Sequence, residues 1–388
     1  MIPFDLFNLD DKLTDSQRAL RLQVRQFVEE VVKPRINPYW EAAEFPWEIA
    51  HEMKQLPIWG TMMQGYGCAE LDALSAGLVR YELGRGDGSI GTFYGVHSGL
   101  AMGSIGKLGS DEQKARWLPA MARVEKIGAF GLSEPERGSD AVHVLTTAVR
   151  DGDHYLLNGS KRWIGNASIA DLLIIWARDE TGQFGGFVIE NPNQTAGVTI
   201  TNLQGKISKR AVLNAEILLE NVRVPAENRL AHARSFHDVS AVLAYTRYTI
   251  CWEAAGIAAA CLEMALDYAK TREQFGKPIA SFQLVQHKLV EMAAEVSQMQ
   301  LLCWRMAELM AEGKLTSAQT SLGKYNNARK ARQVALLARE VLGGNGILIE
   351  NHVARLLLDA EVIYTYEGTN EINLLIVGRE LTGIGAFG

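Results

Sequence analysis

Cysteine is scarce, and what there is has no pairing pattern: Cys68, Cys251, Cys261 and Cys303 include no CxxC spacing. That argues against a disulfide framework or a zinc site and fits a reducing compartment. Positive charge is also in short supply. Lysine and arginine number 39 against 45 acidic residues, a formal net charge of −6, and no long stretch is dominated by basic residues. A nucleic-acid-binding surface is not expected. No run of about 18 uncharged apolar residues occurs, so no membrane span is expected. The opening residues Met1-Ile2-Pro3-Phe4-Asp5 lack the basic and apolar parts of a secretory signal. The closing Gly385-Ala386-Phe387-Gly388 carries no peroxisomal or retention tail, which leaves the cytoplasm as the expected location. What remains is a globular composition, 47% hydrophobic and 22% charged, spread over 388 residues. That is too long for one ordinary core and suggests two or three domains.

The texture changes twice along the chain. The first third reads as helices. Thr14-Asp15-Ser16-Gln17 is a capping-box start followed by Leu20, Val24, Phe27 and Val31 on one face, with Pro34 as the expected stop. Ser110-Asp111-Glu112-Gln113 starts another helix in the same way. From Gly128, short apolar runs alternate with turns such as Asp151-Gly152-Asp153 and Asn158-Gly159. That spacing predicts a small antiparallel β-domain. From about Ser240 the pattern returns to long helices, at 240–271, 281–311 and 316–342, suited to an antiparallel bundle. The expected architecture is α+β: an N-terminal helical domain over 1–128, a β-domain over 129–233 and a C-terminal four-helix bundle over 234–388.

Several short motifs could carry chemistry. Gly86-Asp87-Gly88-Ser89-Ile90-Gly91 matches the dinucleotide fingerprint GxGxxG, but a helical pattern precedes it where a strand is required. A helix-linking loop is expected there. Phe130 to Asp140 has two glycines, a proline and two serines at the passage from helix to sheet; such a loop grips a heterocycle or phosphate, or is simply surface. Trp163, in Lys161-Arg162-Trp163-Ile164-Gly165-Asn166, either walls a flat cofactor or fills the core. Arg272 either binds a pyrophosphate or complements a helix end, and Gly343-Gly344 either approaches a ligand or caps a helix. The most informative run is Tyr364-Thr365-Tyr366-Glu367-Gly368-Thr369. It sets one carboxylate on a glycine-kinked turn beside apolar rings, where its charged form is disfavoured. A partly desolvated acid of that kind suits a general base for a carbon acid.

In this order and at these separations, the motifs resemble those of the acyl-CoA dehydrogenase family over nearly the whole chain. Arg162 to Asn166, Thr365 to Thr369 and Thr382-Gly383-Ile384 resemble most the branch of glutaryl-CoA dehydrogenases and plant short-chain acyl-CoA oxidases. The resemblance implies a tightly held FAD and α,β-desaturation of an acyl-CoA thioester. It makes Glu367 the base for the α-proton, with the β-hydrogen leaving as hydride to flavin N5. Phe130, Leu132, Ser133, Gly138, Ser139, Trp163, Ile164 and Gly165 would lie against the cofactor. Arg272, Gln274, Phe275, Gln283, Glu340, Gly343 and Gly344 would hold the FAD of a neighbouring subunit, with Thr369 and Glu371 on its phosphate-ribose side. Ser139 and Arg247 would meet CoA, and Gly91, Thr92, Phe93, Tyr245, Tyr366 and Gly368 the substrate. A homotetramer and an electron-transfer flavoprotein (or O2) as acceptor follow from the same resemblance, and no metal is needed.

The chain departs from that pattern at three places. Glutaryl-CoA dehydrogenases carry an arginine for the distal carboxylate where Gly91 stands, so an uncharged acyl chain without decarboxylation is expected. Phe93 and Tyr94 either cap a short acyl pocket or belong to the core. Gly165 replaces the usual Thr or Ser, removing a hydroxyl beside flavin N5 and raising the oxidase alternative. Ala244 stands where medium-chain members have an acid three residues before the arginine that Arg247 matches.

Overall fold

The computed structural model describes residues 5–386. The readings of Met1 to Phe4 and of Phe387-Gly388 lie outside the described residues. The first segment comprises α1 (Asp15–Phe27), α2 (Lys33–Ala42), α3 (Trp47–Met53), α4 (Ala73–Gly86), α5 (Gly88–Tyr94), α6 (Met102–Leu108) and α7 (Asp111–Ala122). Both expected capping boxes form, Thr14 with Gln17 and Ser110 with Gln113, each satisfying two otherwise orphaned N–H groups. Pro34 does not stop the first helix. A wide π-turn at Val28–Val32 carries the chain into α2, whose first turn holds Pro34. The widened turn makes room for the proline ring, and the helix runs on through it. The Gly86 to Gly91 run is not a loop either. α4 and α5 meet at the single residue Asp87, whose Oδ1 accepts from the N–H groups of Ser89 (2.7 Å) and Ile90 (3.0 Å) and so starts α5 at once. A second wide turn, Gly95–Ala101, joins α5 to α6.

The middle segment is a seven-stranded sheet: β1 (Gly128–Gly131), β2 (Thr147–Asp151), β3 (His154–Gly165), β4 (Leu172–Asp179), β5 (Phe184–Glu190), β6 (Val198–Asn202) and β7 (Asn214–Pro225). Its order is β1-β4-β2-β3-β7-β6, with β5 also paired to β4. The expectation of a purely antiparallel sheet needs correction. β4 runs parallel to both β1 and β2, so the sheet is mixed. The reason is visible in Leu172-Leu173-Ile174-Ile175-Trp176, which is apolar without alternation and buried throughout, as a strand covered on both faces requires. The ladder between β3 and β7 shifts register between Lys161 and Ile164. Trp163, at φ +67°, sits in that irregularity, and a bulge of this kind re-aims a side chain.

The last segment holds α8 (Phe236–Thr271), a small hairpin of β8 (Glu273–Gln274) and β9 (Lys277–Pro278), α9 (Gln283–Ala311), α10 (Ser317–Val341), α11 (Val353–Thr365) and α12 (Asn370–Thr382). Among the described residues α8 alone is long and apolar enough to cross a bilayer, yet 89% of its most apolar window is buried inside the protein. Its Ala-rich face packs in one core with Leu78 and Tyr81 of α4 and with α9, α10 and α11. Gly256 shows how close that packing is, because a Cβ there would lie 2.1 Å from the Tyr81 carbonyl oxygen.

Candidate active site

Glu367 lies on the turn between α11 and α12. α11 ends at Thr365, and Thr369 caps α12 by accepting from the Ile372 N–H at 3.2 Å. In between, Glu367 (φ +56°) and Gly368 (φ +80°) are both left-handed. Glycine takes that conformation freely, whereas a glutamate there is held by its surroundings, a pattern common at functional sites. The braces are identifiable. Arg247 Nε of α8 donates to the Glu367 carbonyl at 3.1 Å, and its Nη1 to Ser321 Oγ at 3.2 Å. Lys324 Nζ of α10 donates to the carbonyls of Tyr364 (3.2 Å) and Gly368 (2.8 Å), and Asn373 Nδ2 adds 2.8 Å to Gly368.

The Glu367 carboxylate is aimed by Thr246, whose Oγ1 donates to Oε2 at 2.9 Å. Burial pushes its pKa up; the Thr246 hydrogen bond and the charges of Arg247, Arg80 and Lys324 hold it back only in part. Burial also brings Lys324 down to about 8. Among the described residues no hydrogen bond engages the Glu367 N–H, so this donor is left free on the turn.

The sheet supplies a second wall. Phe130 and Leu132 are buried, while Ser133 is half-buried and its carbonyl accepts the Arg162 N–H at 2.9 Å. The loop that follows is anchored from beneath rather than merely lying on the surface. The Glu134 carboxylate accepts from the N–H groups of Leu145 (2.6 Å) and Thr146 (2.9 Å) and from Lys161 Nζ (2.8 Å), and Lys161 also donates to the Leu132 carbonyl at 3.1 Å. Burial lowers Lys161 to about 8 although Glu134 opposes it. Gly138 and Ser139 are exposed at the loop's tip. Trp163 is 59% exposed, so the core alternative for its indole falls, and Ile164 beside it is buried. A flat ring system needs an aromatic wall and a stretch without side chains, and Trp163 followed by Gly165 provides both.

Three segments meet where these walls meet. A Cβ on Gly165 would lie 3.2 Å from Val96, and one on Gly99 3.1 Å from Thr246 Cγ2. Thr246 in turn holds Glu367. On the expected substrate side, Thr92 Oγ1 and the Tyr366 hydroxyl both receive hydrogen bonds from Lys209 Nζ, each at 2.8 Å. Gly91 faces an acid, since a Cβ there would lie 3.4 Å from Glu253 Oε1. Phe93 is packed among Phe45, Trp59 and His97 and Tyr94 bonds the Ile58 carbonyl, so both belong to the core. Tyr245 is buried with its hydroxyl on the Thr61 carbonyl, and Arg247 is taken up with bracing the Glu367 turn.

A separate surface gathers Arg272, Gln274, Gly343 and Gly344 around an open groove of about 360 Å³, together with Tyr268, Ile279, Val341, Leu342 and Asn345. Phe275, 92% exposed at φ +53°, stands out beside it, and Gln283 is exposed as well. Glu340 is not in the groove lining; it pairs with Lys288 at 2.5 Å. Glu371 lies exposed in the first turn of α12 and accepts from the Tyr364 hydroxyl at 3.2 Å. The sequence reading missed Thr246, Lys324, Lys209, Glu253 and the Glu134–Lys161 pair. Glu253 left a trace, as a charge inside the most apolar helix.

The chain matches known proteins over most of its length. Residues 14–125, 129–222 and 236–382 match the N-terminal, middle and C-terminal domains of acyl-CoA dehydrogenase. A probable acyl-CoA dehydrogenase, YngJ of Bacillus subtilis, is 35% identical, over 95% of this chain and 99% of its own. A glutaryl-CoA dehydrogenase of Mycobacterium smegmatis solved in complex with FADH2 is 39% identical, covering 100% and 99% of the two chains with a TM-score of 0.96. Butyryl-CoA dehydrogenase of Megasphaera elsdenii is 31% identical, covering 95% and 98% with a TM-score of 0.90.

Proposed function

The chain belongs to the acyl-CoA dehydrogenase family, FAD enzymes that oxidise the CH–CH bond of acyl-CoA, and within it we propose α,β-desaturation of a short-chain, uncharged acyl-CoA to the trans-2-enoyl-CoA. The observation that carries this reading is Glu367 itself: a strained, braced, desolvated carboxylate beside a flat-ring wall. A thioester α-proton is a very weak acid, and an ordinary solvated carboxylate with pKa of about 4 is a poor match for it. Raising the base by burial narrows that gap, and Thr246 fixes the direction in which it attacks. The free Glu367 N–H suits the thioester oxygen as charge develops on it, and each factor of ten in rate needs about 1.4 kcal/mol of such stabilisation.

FAD, when bound, accepts the hydride from the β-carbon. Phe130, Leu132, Ser133, Trp163, Ile164 and Gly165 would hold its ring, and the exposed indole beside a residue without a side chain fits that task. The groove at Arg272 and Gly343 is assigned to the FAD of a neighbouring subunit, which makes a homotetramer the proposed assembly. An electron-transfer flavoprotein is the proposed acceptor and the cytoplasm the proposed location. Val96, 3.2 Å from where a Gly165 Cβ would be, leaves little of the extra room an oxidase would need for O2. Gly91 offers no side chain where a distal carboxylate would need a cation, and the nearby Arg80 and Lys209 are already paired with Glu253, which supports the uncharged substrate over a glutaryl group.

Anaerobic bleaching of the yellow protein tests the reading. Butyryl-CoA should bleach it, glutaryl-CoA should bleach it far more slowly, and the reduced flavin should persist for minutes after air is admitted. No bleaching by any acyl-CoA would refute desaturation, and immediate reoxidation would establish the oxidase.

A further inference from the structure

A second polar cluster lies deeper than the base, and the reaction does not use it. Arg80 of α4, Lys209 ahead of β7 and Glu253 of α8 converge in the interior, none of them more than 4% exposed. Glu253 Oε1 accepts from Lys209 Nζ at 2.5 Å, and its other oxygen accepts from Arg80 Nη2. Lys209 gives its remaining two N–H bonds to Thr92 and to the hydroxyl of Tyr366, the residue before the base. Arg80 Nη1 donates to the Gly91 carbonyl. Lys209 has no N–H to spare and Glu253 no free oxygen, so the network is closed at both; only Arg80 keeps a buried N–H, at Nε, without a partner.

Its position relative to the base follows from α8. Thr246, which aims Glu367, and Glu253 are seven residues apart on that helix, so they lie on the same side about 10 Å apart along its axis. The facing helical stretch is bare along this path. Gly99 stands opposite Thr246, Gly95 opposite Arg80 and Gly91 opposite Glu253. At these three points the stretch presents backbone rather than a side chain.

We propose that Arg80, Lys209 and Glu253 form the far wall of the acyl slot and set its chain-length limit. An alkyl tail that passes Glu367 along Tyr366 ends on this wall. A longer tail would have to break bonds within a buried ion cluster and leave a charge without its partner, which a methyl terminus cannot replace. A short tail stops before it. This inference rests on the desaturation reading and names the residues that choose among its substrates.

The test replaces Arg80→Leu, Lys209→Met and Glu253→Leu together, since apolar residues of similar volume commonly substitute for a whole buried ion triad without loss of fold. Anaerobic bleaching rates are read with butyryl-, hexanoyl- and octanoyl-CoA on the FAD-loaded protein. The readout is the octanoyl-to-butyryl ratio within each protein, which cancels any common effect on the base. It should rise at least about tenfold in the variant. An unchanged ratio in a yellow, folded variant overturns the wall. So does faster bleaching of the wild type by glutaryl-CoA than by butyryl-CoA, which would make the cluster an anion site. Should the triple variant not accumulate, Lys209→Met alone reads the same ratio, with a threefold rise expected and a ratio equal to wild type overturning the proposal. If the wild type bleaches with no acyl-CoA, desaturation itself fails, a result distinct from either of these.

Discussion

The Glu367 turn and the Arg272 hairpin both stand out as motifs in the sequence, and the fold treats them in opposite ways. Glu367 is braced from within by Thr246, Arg247, Lys324 and Asn373, side chains contributed by three helices. Around Arg272 every residue from Thr271 to Pro278 is exposed, and Phe275 is almost wholly in solvent. A chain that spends buried arginine and lysine on one turn is fixing an atom for chemistry. One that holds out an aromatic ring on a hairpin is offering it to something else. On the assembly proposed above, the difference separates a site assembled by one chain from a site that one chain only half supplies.

The comparison predicts unequal consequences. Glu367→Gln is the sharpest: bleaching by butyryl-CoA should slow by roughly 10³-fold or more, while the protein stays yellow. Retained bleaching would remove the base from its role. Next come the braces. Lys324→Met leaves the Tyr364 and Gly368 carbonyls without that donor and should cost about 2 kcal/mol in urea unfolding, with a slower bleaching step. If neither moves, the turn holds its shape without help.

A third effect concerns pH. Burial raises the Glu367 pKa, so the acid limb of kcat/KM should lie above the ordinary glutamate range, with activity rising as pH rises through it. Thr246→Val removes a hydrogen bond that favours the charged form and should move that limb further up. A limb that moved down would reverse the assignment. The same sign applies to stability: ionising a buried acid with a raised pKa weakens the folded state as pH increases. The smallest effect is expected at the hairpin. Phe275→Ser should leave unfolding within about 0.5 kcal/mol of wild type, as for a surface change. It should nonetheless loosen the assembly or its grip on FAD, read by light scattering and by flavin retained on a desalting column. A large loss of stability would place Phe275 inside the chain's own core.

Much of this was legible in the sequence because local rules governed it. Thr14 and Ser110 carried their capping partners three residues on, and the glycine after Glu367 marked the turn directly. Where neighbours in space decide, the sequence was ambiguous or misleading. Trp163 could be placed only once the register shift in β3 turned it outward. Pro34 looked like a terminator because the preceding π-turn leaves no mark in composition. Phe93 and Tyr94 could be read either as pocket or as core, and only their neighbours in space, Phe45, Trp59 and the Ile58 carbonyl, show that they pack in the core. Thr246 and Lys324 lie on helices where a polar side chain pointing inward looks, in a string of letters, like one pointing at water.

The contact between Gly256 and Tyr81 bears on how this protein can be divided. A seam too narrow for one methyl group joins the first helices to the last ones, so the sheet interrupts a single helical body rather than separating two. Cutting the chain after the sheet would strip α8 of its partner and expose its apolar face. Swapping α4 or α8 between relatives should therefore succeed only when both ends of the polypeptide are exchanged as a matched pair.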